Sequence, residues 1–308
     1  MMYEHFYGFK EPPFNLTPNS RFFYSSPKHL EAIDSLYYAI IERKGFAVIT
    51  GEIGCGKTTV CRALLNRLDT KVKTALVTNS HLSGRDLLAV ILEDLEVEFR
   101  PGSKARLLSQ LNTFLIEQLS RDNNVVVIID EAQNLTPSVL EDVRMLSNLE
   151  TETEKLIQII LMGQPELKKK LALQRLEQLR QRINVYYHLT GLTAEETRDY
   201  IKHRLKIASD SDGSFFSEEA IRVIHAYSKG VPRLINQICD SALLSGYISE
   251  TKTIDEKIVK EVIAESPSAQ ISKNIPSTAK KSSAEIALEN NQPAFDTETM
   301  DIERLNNE

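Results

Sequence analysis

The sequence predicts an α/β protein in which a parallel five-stranded sheet, flanked by helices, is followed by a small all-α domain. Three observations predict it. Five short apolar or β-branched runs alternate with helical patterns, the strand signal disappears after about residue 190, and a glycine-rich segment sits where the first strand meets its helix. Such alternation produces parallel sheets, because each parallel connection has to cross back over a sheet face. At roughly 100 to 200 residues per domain, the 308 residues leave room for both parts.

The strand runs are Phe46–Thr50, Thr74–Thr78, Val125–Ile129, Leu156–Leu161 and Val185–Leu189. Nearly continuous apolar runs of this length suit strands covered on both faces. Helical patterns fall at Pro27–Arg43, Lys57–Leu68, Ser83–Leu95, Ser103–Ser120 and Pro137–Leu149. The last opens with Thr136 as N-cap and proline at the first helical position, where its missing N–H is no loss. Beyond the strands, Thr193-Ala194-Glu195-Glu196 is a capping box opening a helix to about Ala208, and Ser217-Glu218-Glu219-Ala220 opens another. Further helices are expected from about Pro232 and Asp255. The expected division is residues 1–44 as the N-terminal segment and first helix of the module, 45–190 as the α/β nucleotide-binding domain, 191–265 as the helical domain and 266–308 as a polar tail. The tail is rich in Ser, Asn, Lys and Glu with no sustained period. It is expected to be disordered, because isolated apolar residues cannot offset the entropy of ordering. Short apolar spots such as Ile286–Leu288 are its only candidates for docking a partner.

Composition excludes several classes. Lys+Arg 37 against Asp+Glu 43 gives a net charge of −6, without the strong basic field of a dedicated nucleic-acid coat protein. Runs such as Val125–Ile129 and Ile157–Met162 fall far short of the roughly 20 apolar residues that span a bilayer. The opening MMYEHFYGFKEPPF lacks the basic and apolar regions of a secretory signal, and the expected location is the cytoplasm. Cys55, Cys61 and Cys239 are too scattered for a disulfide framework or a zinc site.

Two motifs carry chemistry. Gly51-Glu52-Ile53-Gly54-Cys55-Gly56-Lys57-Thr58 matches G-x-x-x-x-G-K-[ST], the P-loop or Walker A pattern. Its glycines let successive N–H groups turn inward at a helix N-terminus, which favours phosphate. Lys57 is expected on the β- and γ-phosphates of ATP and Thr58 on Mg2+, with Thr59 completing the nucleotide-contacting set. The second motif, Val125-Val126-Val127-Ile128-Ile129-Asp130-Glu131, places two acids at the carboxyl end of a strand, a Walker B arrangement. Asp130 is expected to orient Mg2+ and Glu131 to polarise an attacking water.

Further segments complete a pattern between Tyr3 and about Glu265. They are Tyr7-Gly8-Phe9 with Pro13-Phe14, Arg21-Phe22-Phe23-Tyr24, Ser26-Pro27-Lys28-His29, Thr50 through Thr59, Ile129 through Leu135, Gly163-Gln164-Pro165-Glu166-Leu167 and Gly230-Val231-Pro232-Arg233. With these the chain resembles the AAA+ ATPases, and more closely the general secretion pathway protein A (ExeA-like) family. The resemblance implies a sheet-and-lid fold, ATP hydrolysis, and homo-oligomers working with an inner-membrane component of a secretion, pilus or polysaccharide-export machine. It further implies that Gln164 is a polar sensor at the γ-phosphate or attacking water, and that Arg233 is a second sensor on the lid. It also implies a trans-acting arginine finger in Leu179-Arg180-Gln181-Arg182-Ile183; Arg182 is the first choice, with Arg180 and a plain solvated basic face as alternatives. Phe22, Phe23 and Tyr24 are placed either near the adenine or in the core. Larger family members continue into a membrane helix and a peptidoglycan-binding domain, neither of which is seen in this sequence, so direct cell-wall engagement is not expected. The alternative reading is an ATP-dependent DNA-binding regulator resembling transposition ATPases; the acidic charge balance does not favour it.

The remaining features have simpler readings. The six histidines, including His188 and His225, show no metal-ligand spacing. Lys168-Lys169-Lys170 reads as a solvated helix end or a contact for an acidic partner or nucleic acid. Cys55, at a helix N-terminus two residues before Lys57, is expected to be a readily alkylated thiolate.

Overall fold

Branched apolar residues set the order of the sheet. The computed structural model describes residues 3–17, 19–152, 154–209 and 213–266; apart from Ser266, the expected tail with Ile286–Leu288 lies outside them. Five parallel strands, β1 (Phe46–Gly51), β2 (Val72–Val77), β3 (Asn124–Ile129), β4 (Gln158–Gly163) and β5 (Ile183–Leu189), are arranged in the order β2-β3-β4-β1-β5. The three central strands are buried along their whole length, whereas β2 and β5 at the edges alternate between covered and open positions.

Helices are α1 (Glu4–Tyr7), α2 (Pro27–Ile41), α3 (Lys57–Arg67), α4 (Gly84–Asp94), α5 (Lys104–Ser120), α6 (Pro137–Leu146), α7 (Pro165–Leu171), α8 (Glu177–Gln181), α9 (Ala194–Ala208), α10 (Glu218–Ser228), α11 (Pro232–Ile248) and α12 (Glu256–Glu265). Successive strand side chains point to opposite faces, and β3 feeds two cores accordingly. Val125, Val127 and Ile129 pack with leucines of α4, α5 and α6, while Val126 and Ile128 pack with α2 and α3. Ser26, Ser83, Ser103, Thr136 and Ser217 cap helices by accepting an N–H, and Thr193 with Glu196 forms the expected capping box.

Several boundaries differ from the sequence reading, among them the starts of β2 at Val72 rather than Thr74 and of β5 at Ile183 rather than Val185, and two have a visible cause. β4 starts at Gln158 rather than Leu156, because the Leu156 N–H is taken by the Leu149 carbonyl in the turn after α6. α6 itself stops at Leu146, after which Ser147, Asn148 and Leu149 bond three residues back and tighten the chain out of the helix. α7 ends on Lys168-Lys169-Lys170, the expected helix end, and α8 fills a stretch that carried no helical expectation.

Described residues as far as Val262 form one compact unit, and those from Ile263 a second, of which only the end of α12 and Ser266 are described. Within the first unit α9, α10 and α11 form a helical lid, and residues 3–14 pack on it rather than on the sheet. The Tyr3 hydroxyl donates to Asp240, Tyr7 donates to the carbonyls of Leu243 and Thr251 at 3.1 Å each, and Phe9 lies edge-on to Phe215 at 5.1 Å. The chain then returns to the sheet through α2.

Candidate nucleotide-binding site

The site lies at the carboxyl ends of the strands, where parallel α/β sheets bind ligands. β1 ends at Gly51, and Gly54 and Gly56 carry the loop through φ of +83° and +98° into α3. A Cβ on Gly54 would come within 2.5 Å of the Arg233 Cβ, so this glycine lets the lid approach the loop. Lys57 is buried, and its ammonium donates to the carbonyls of Gly51 at 2.7 Å and Glu52 at 3.1 Å. A lysine has three donors, so one N–H remains for a ligand.

The acidic motif reaches the loop across the end of β4. Thr58 Oγ1 donates to Asp130 Oδ2 at 3.3 Å, bringing together a hydroxyl and a carboxylate, the hard oxygen donors that Mg2+ prefers. Glu131 takes the left-handed conformation, φ +50°, and two amides hold its Oε2: Gln164 Nε2 at 3.0 Å and Gln133 Nε2. Gln133 also accepts the Gln164 backbone N–H at 3.0 Å, tying the ends of β3 and β4 together. Burial works against the Glu131 charge, but these two amides and the nearby Lys57 outweigh it and hold the carboxyl below its ordinary pKa. Lys168 and Lys169 form the solvated helix end that was expected, while Lys170 turns inward, donates to the carbonyls of Gln133 and Leu135 and supports the acidic turn.

The lid closes the other side. The Arg233 N–H lies 3.3 Å from the Gly54 carbonyl, and its side chain joins Lys57, Thr58, Thr59 and Glu131 in lining a cavity of about 410 Å3, within the range of small-molecule sites. The far wall is aromatic: Phe22, Phe23, Tyr24 and Tyr200 surround it, with Asn236 bonded to the Tyr200 hydroxyl at 2.8 Å. Buried Arg204 binds this wall together. It donates to the carbonyls of Pro13 at 2.6 Å and Asn15 at 3.4 Å and to the Tyr200 hydroxyl at 3.0 Å, and stacks over Phe22 at 4.8 Å.

Thus Gly51 through Thr59, Asp130, Glu131, Gln164 and Arg233 converge on one end of the unit, and Phe22, Phe23 and Tyr24 lie in the same cavity wall. Arg182 stands apart at the opposite end of β5, where its Nη1 donates to Ser147 Oγ at 2.5 Å. Arg180 is the more exposed of the pair, 3.4 Å from the carbonyls of Leu171 and Ala172. His188 and His225 bond Thr50 and Thr197 through Nδ1 at 2.9 and 3.0 Å. The expectation for Cys55 is overturned. Its side chain is 1% exposed, and burial pushes the thiol pKa up against the smaller opposing pull of Lys57. Sequence reasoning missed Gln133, Arg204, Tyr200 and Asn236. Only Gln133 left a local signal, an amide two residues after the second acid of the motif.

Comparison with known proteins agrees with this fold. Residues 40–171 match the AAA domain family. Over 247 residues, 80% of this chain, the sequence is 42% identical to general secretion pathway protein A of Aeromonas hydrophila, of whose length the chain spans 45%. Among solved structures, Cdc6p of Pyrobaculum aerophilum superposes with a TM-score of 0.63 at 19% identity, covering 82% of this chain and 70% of that one. The ORC1 protein of Aeropyrum pernix, solved in complex with DNA, gives 0.61 at 17% identity, covering 93% and 78%. The RuvB branch migration motor of Thermotoga maritima gives 0.51 at 18% identity, covering 76% and 68%. At these identities the structural neighbours speak for the fold alone. No described helix is long and apolar enough to cross a membrane. With its P-loop, its acidic strand end and this degree of identity, the chain carries an AAA domain and is a homologue of general secretion pathway protein A.

Proposed function

We propose that this protein is a Mg2+-dependent ATPase that couples nucleotide turnover to a secretion, pilus-biogenesis or exopolysaccharide-export machine. The observation that carries the enzymatic reading is the convergence of Lys57, Thr58, Glu131 and Arg233 on one cavity, with Asp130 bonded to Thr58 and Gln164 to Glu131 at its edge. Inward N–H groups of the loop and Lys57 bind the phosphates, while Thr58 and Asp130 would hold Mg2+. The metal, when bound, neutralises phosphate charge and orients the chain of phosphates. Glu131 keeps Oε1 free of its amide clamp and receives a proton from the attacking water; Gln164 orients that water, and Arg233 links the γ-phosphate to the lid. Arg182 or Arg180 reaches a neighbouring subunit's nucleotide in a homo-oligomer, and exposed Arg180 needs the smaller rearrangement.

The machine-coupling part rests on the 42% identity to general secretion pathway protein A. It implies a cytoplasmic ATPase docked on an inner-membrane component. The test is phosphate release with and without chelator, followed by capture from inner-membrane extracts with Glu131→Gln protein and ATP. Chelator-sensitive turnover, with ATP-dependent capture of an export-machine component, supports the reading. Absence of turnover overturns the enzyme. Steeply salt-dependent DNA binding in the presence of ATP, without membrane capture, overturns the coupling in favour of a DNA-binding regulator.

A further inference from the structure

We infer that His29 is a positioning residue of the phosphate loop: it fixes the Cys55 carbonyl against α2 so that the following peptide N–H, that of Gly56, faces the bound phosphate. The inference deepens the ATPase reading and rests on it.

Three contacts carry it. Ser26, fully buried at the N-cap of α2, accepts the His29 backbone N–H at 3.3 Å, and its hydroxyl lies 2.6 Å from His29 Nδ1. The Cys55 carbonyl opposite Nε2 can only accept, so in the neutral ring Nδ1 is the acceptor and the Ser26 hydroxyl gives its proton to it. The ring proton therefore sits on Nε2. Nε2 stands 3.2 Å from the Cys55 carbonyl, to which it donates. Burial holds the ring pKa below its ordinary value, so the neutral tautomer persists.

The consequence for the loop follows from peptide geometry. In a trans peptide C=O and N–H point to opposite sides, and no peptide bond among the described residues is cis. Anchoring the Cys55 carbonyl toward α2 therefore turns the Gly56 N–H away from α2, into the concave side of the loop. Glycine at position 56 has a steric cause as well as a φ of +98°, because a Cβ there would meet His29 Nε2 at 2.8 Å. His29 and Gly56 thus form one close contact, with Phe23 edge-on to the imidazole at 6.0 Å on the wall of the cavity.

The test uses His29→Phe, which keeps a ring of similar bulk without a donor, and His29→Gln, whose amide supplies both a donor and an acceptor. Binding of a non-hydrolysable ATP analogue with Mg2+ is measured by calorimetry, turnover by phosphate release, and folding by melting of the nucleotide-free proteins. His29→Phe is expected to weaken analogue binding and raise the KM for ATP roughly tenfold, the scale of one lost positioning bond. The kcat at saturating ATP should stay within about twofold, as for lost ground-state binding. His29→Gln should recover most of the affinity. If wild-type protein binds the analogue and His29→Phe binds it equally well, or if Phe and Gln variants lose affinity and melting temperature together, the inference fails while the ATPase reading stands. If wild-type protein binds no analogue, both fall.

Discussion

At the loop end, Lys57 and Thr58 line the cavity while Asp130 and Gln164 bond Thr58 and Glu131 beside it, and each of the four follows a buried parallel strand by a few residues. At the aromatic end, Phe22, Tyr200, Arg204 and Asn236 come from three separate segments, and the contact that joins them, Arg204 to Pro13, spans 191 positions. The loop end uses backbone groups and short motifs whose geometry is set locally. The aromatic end is a tertiary construction in which each side chain depends on the others for its place. Substitutions should therefore act on chemistry at the first end and on stability and affinity at the second.

The largest effects are expected within the loop end. Lys57→Ala should weaken ATP binding roughly hundredfold or more, the scale of truncating one partner of a buried charge contact. Glu131→Gln should leave affinity within about twofold and lower kcat by roughly 10² to 10⁴, as loss of a general base does. Calorimetry and phosphate release separate the two, and equal loss of affinity in both would dissolve the division of roles.

Arg204→Ala comes next and tests the other end. It leaves the buried Pro13 carbonyl, the part-buried Asn15 carbonyl and the Tyr200 hydroxyl without their donor, a cost of about 3 kcal/mol. Calorimetric melting should drop by roughly 6 to 12 °C, with a raised KM and a kcat within about threefold of wild type. A fall in kcat as deep as that of Glu131→Gln would show the two ends to be one device.

Gln133→Ala sharpens the comparison through pH. The Gln133 amide bonds the charged form of Glu131, while burial favours the neutral form. Without the amide the Glu131 pKa rises, so the carboxylate is lost at a higher pH as acid is added. The acid limb of the kcat profile should move to higher pH, with the rate near neutrality within about threefold. An unmoved limb would mean that Glu131 is not the group titrating.

Smaller still is Tyr7→Phe, which removes the hydroxyl bonds to Leu243 and Thr251 on the lid. About 1 kcal/mol, or roughly 2 to 4 °C in Tm, should be lost with ATP affinity unchanged. Smallest of all is the response to brief maleimide treatment. Burial raises the pKa of all three thiols, Cys61 to about 12, so peptide mapping should find none modified in the folded protein. Fast, ATP-suppressed labelling of Cys55 would show the loop to be open to solvent.

What could be read from the sequence follows the same division. The order of strands and helices, the P-loop, Asp130-Glu131 and Gln164 were legible because each is a pattern within about ten residues of its strand. Arg204 was not, since a basic residue among polar neighbours on a helix reads as a solvated face until residues 13–15 are found lying over it. Cys55 was misread for the same cause. The helix N-terminus and Lys57 are visible in one dimension, whereas the burial that outweighs them comes from a core assembled by α2, α3 and the strands. The partner of Arg182 was not legible either, since Ser147 lies 35 positions away and no local pattern connects the two.

Residues 3–14 also set a timetable for synthesis. They are the first part of the described chain to leave the ribosome, yet Tyr3 and Tyr7 dock on Asp240, Leu243 and Thr251, which are among the last. At about 5 to 20 residues per second, an interval of roughly ten to fifty seconds separates the two. During it Phe6, Tyr7, Phe9 and Phe14 have nothing of their own lid to cover them, while the strands and helices of the sheet can already be assembling. Closure between the two ends of the chain is thus the late step of folding, and a nascent chain released before α11 is complete carries an intact P-loop motif beside an unfinished wall.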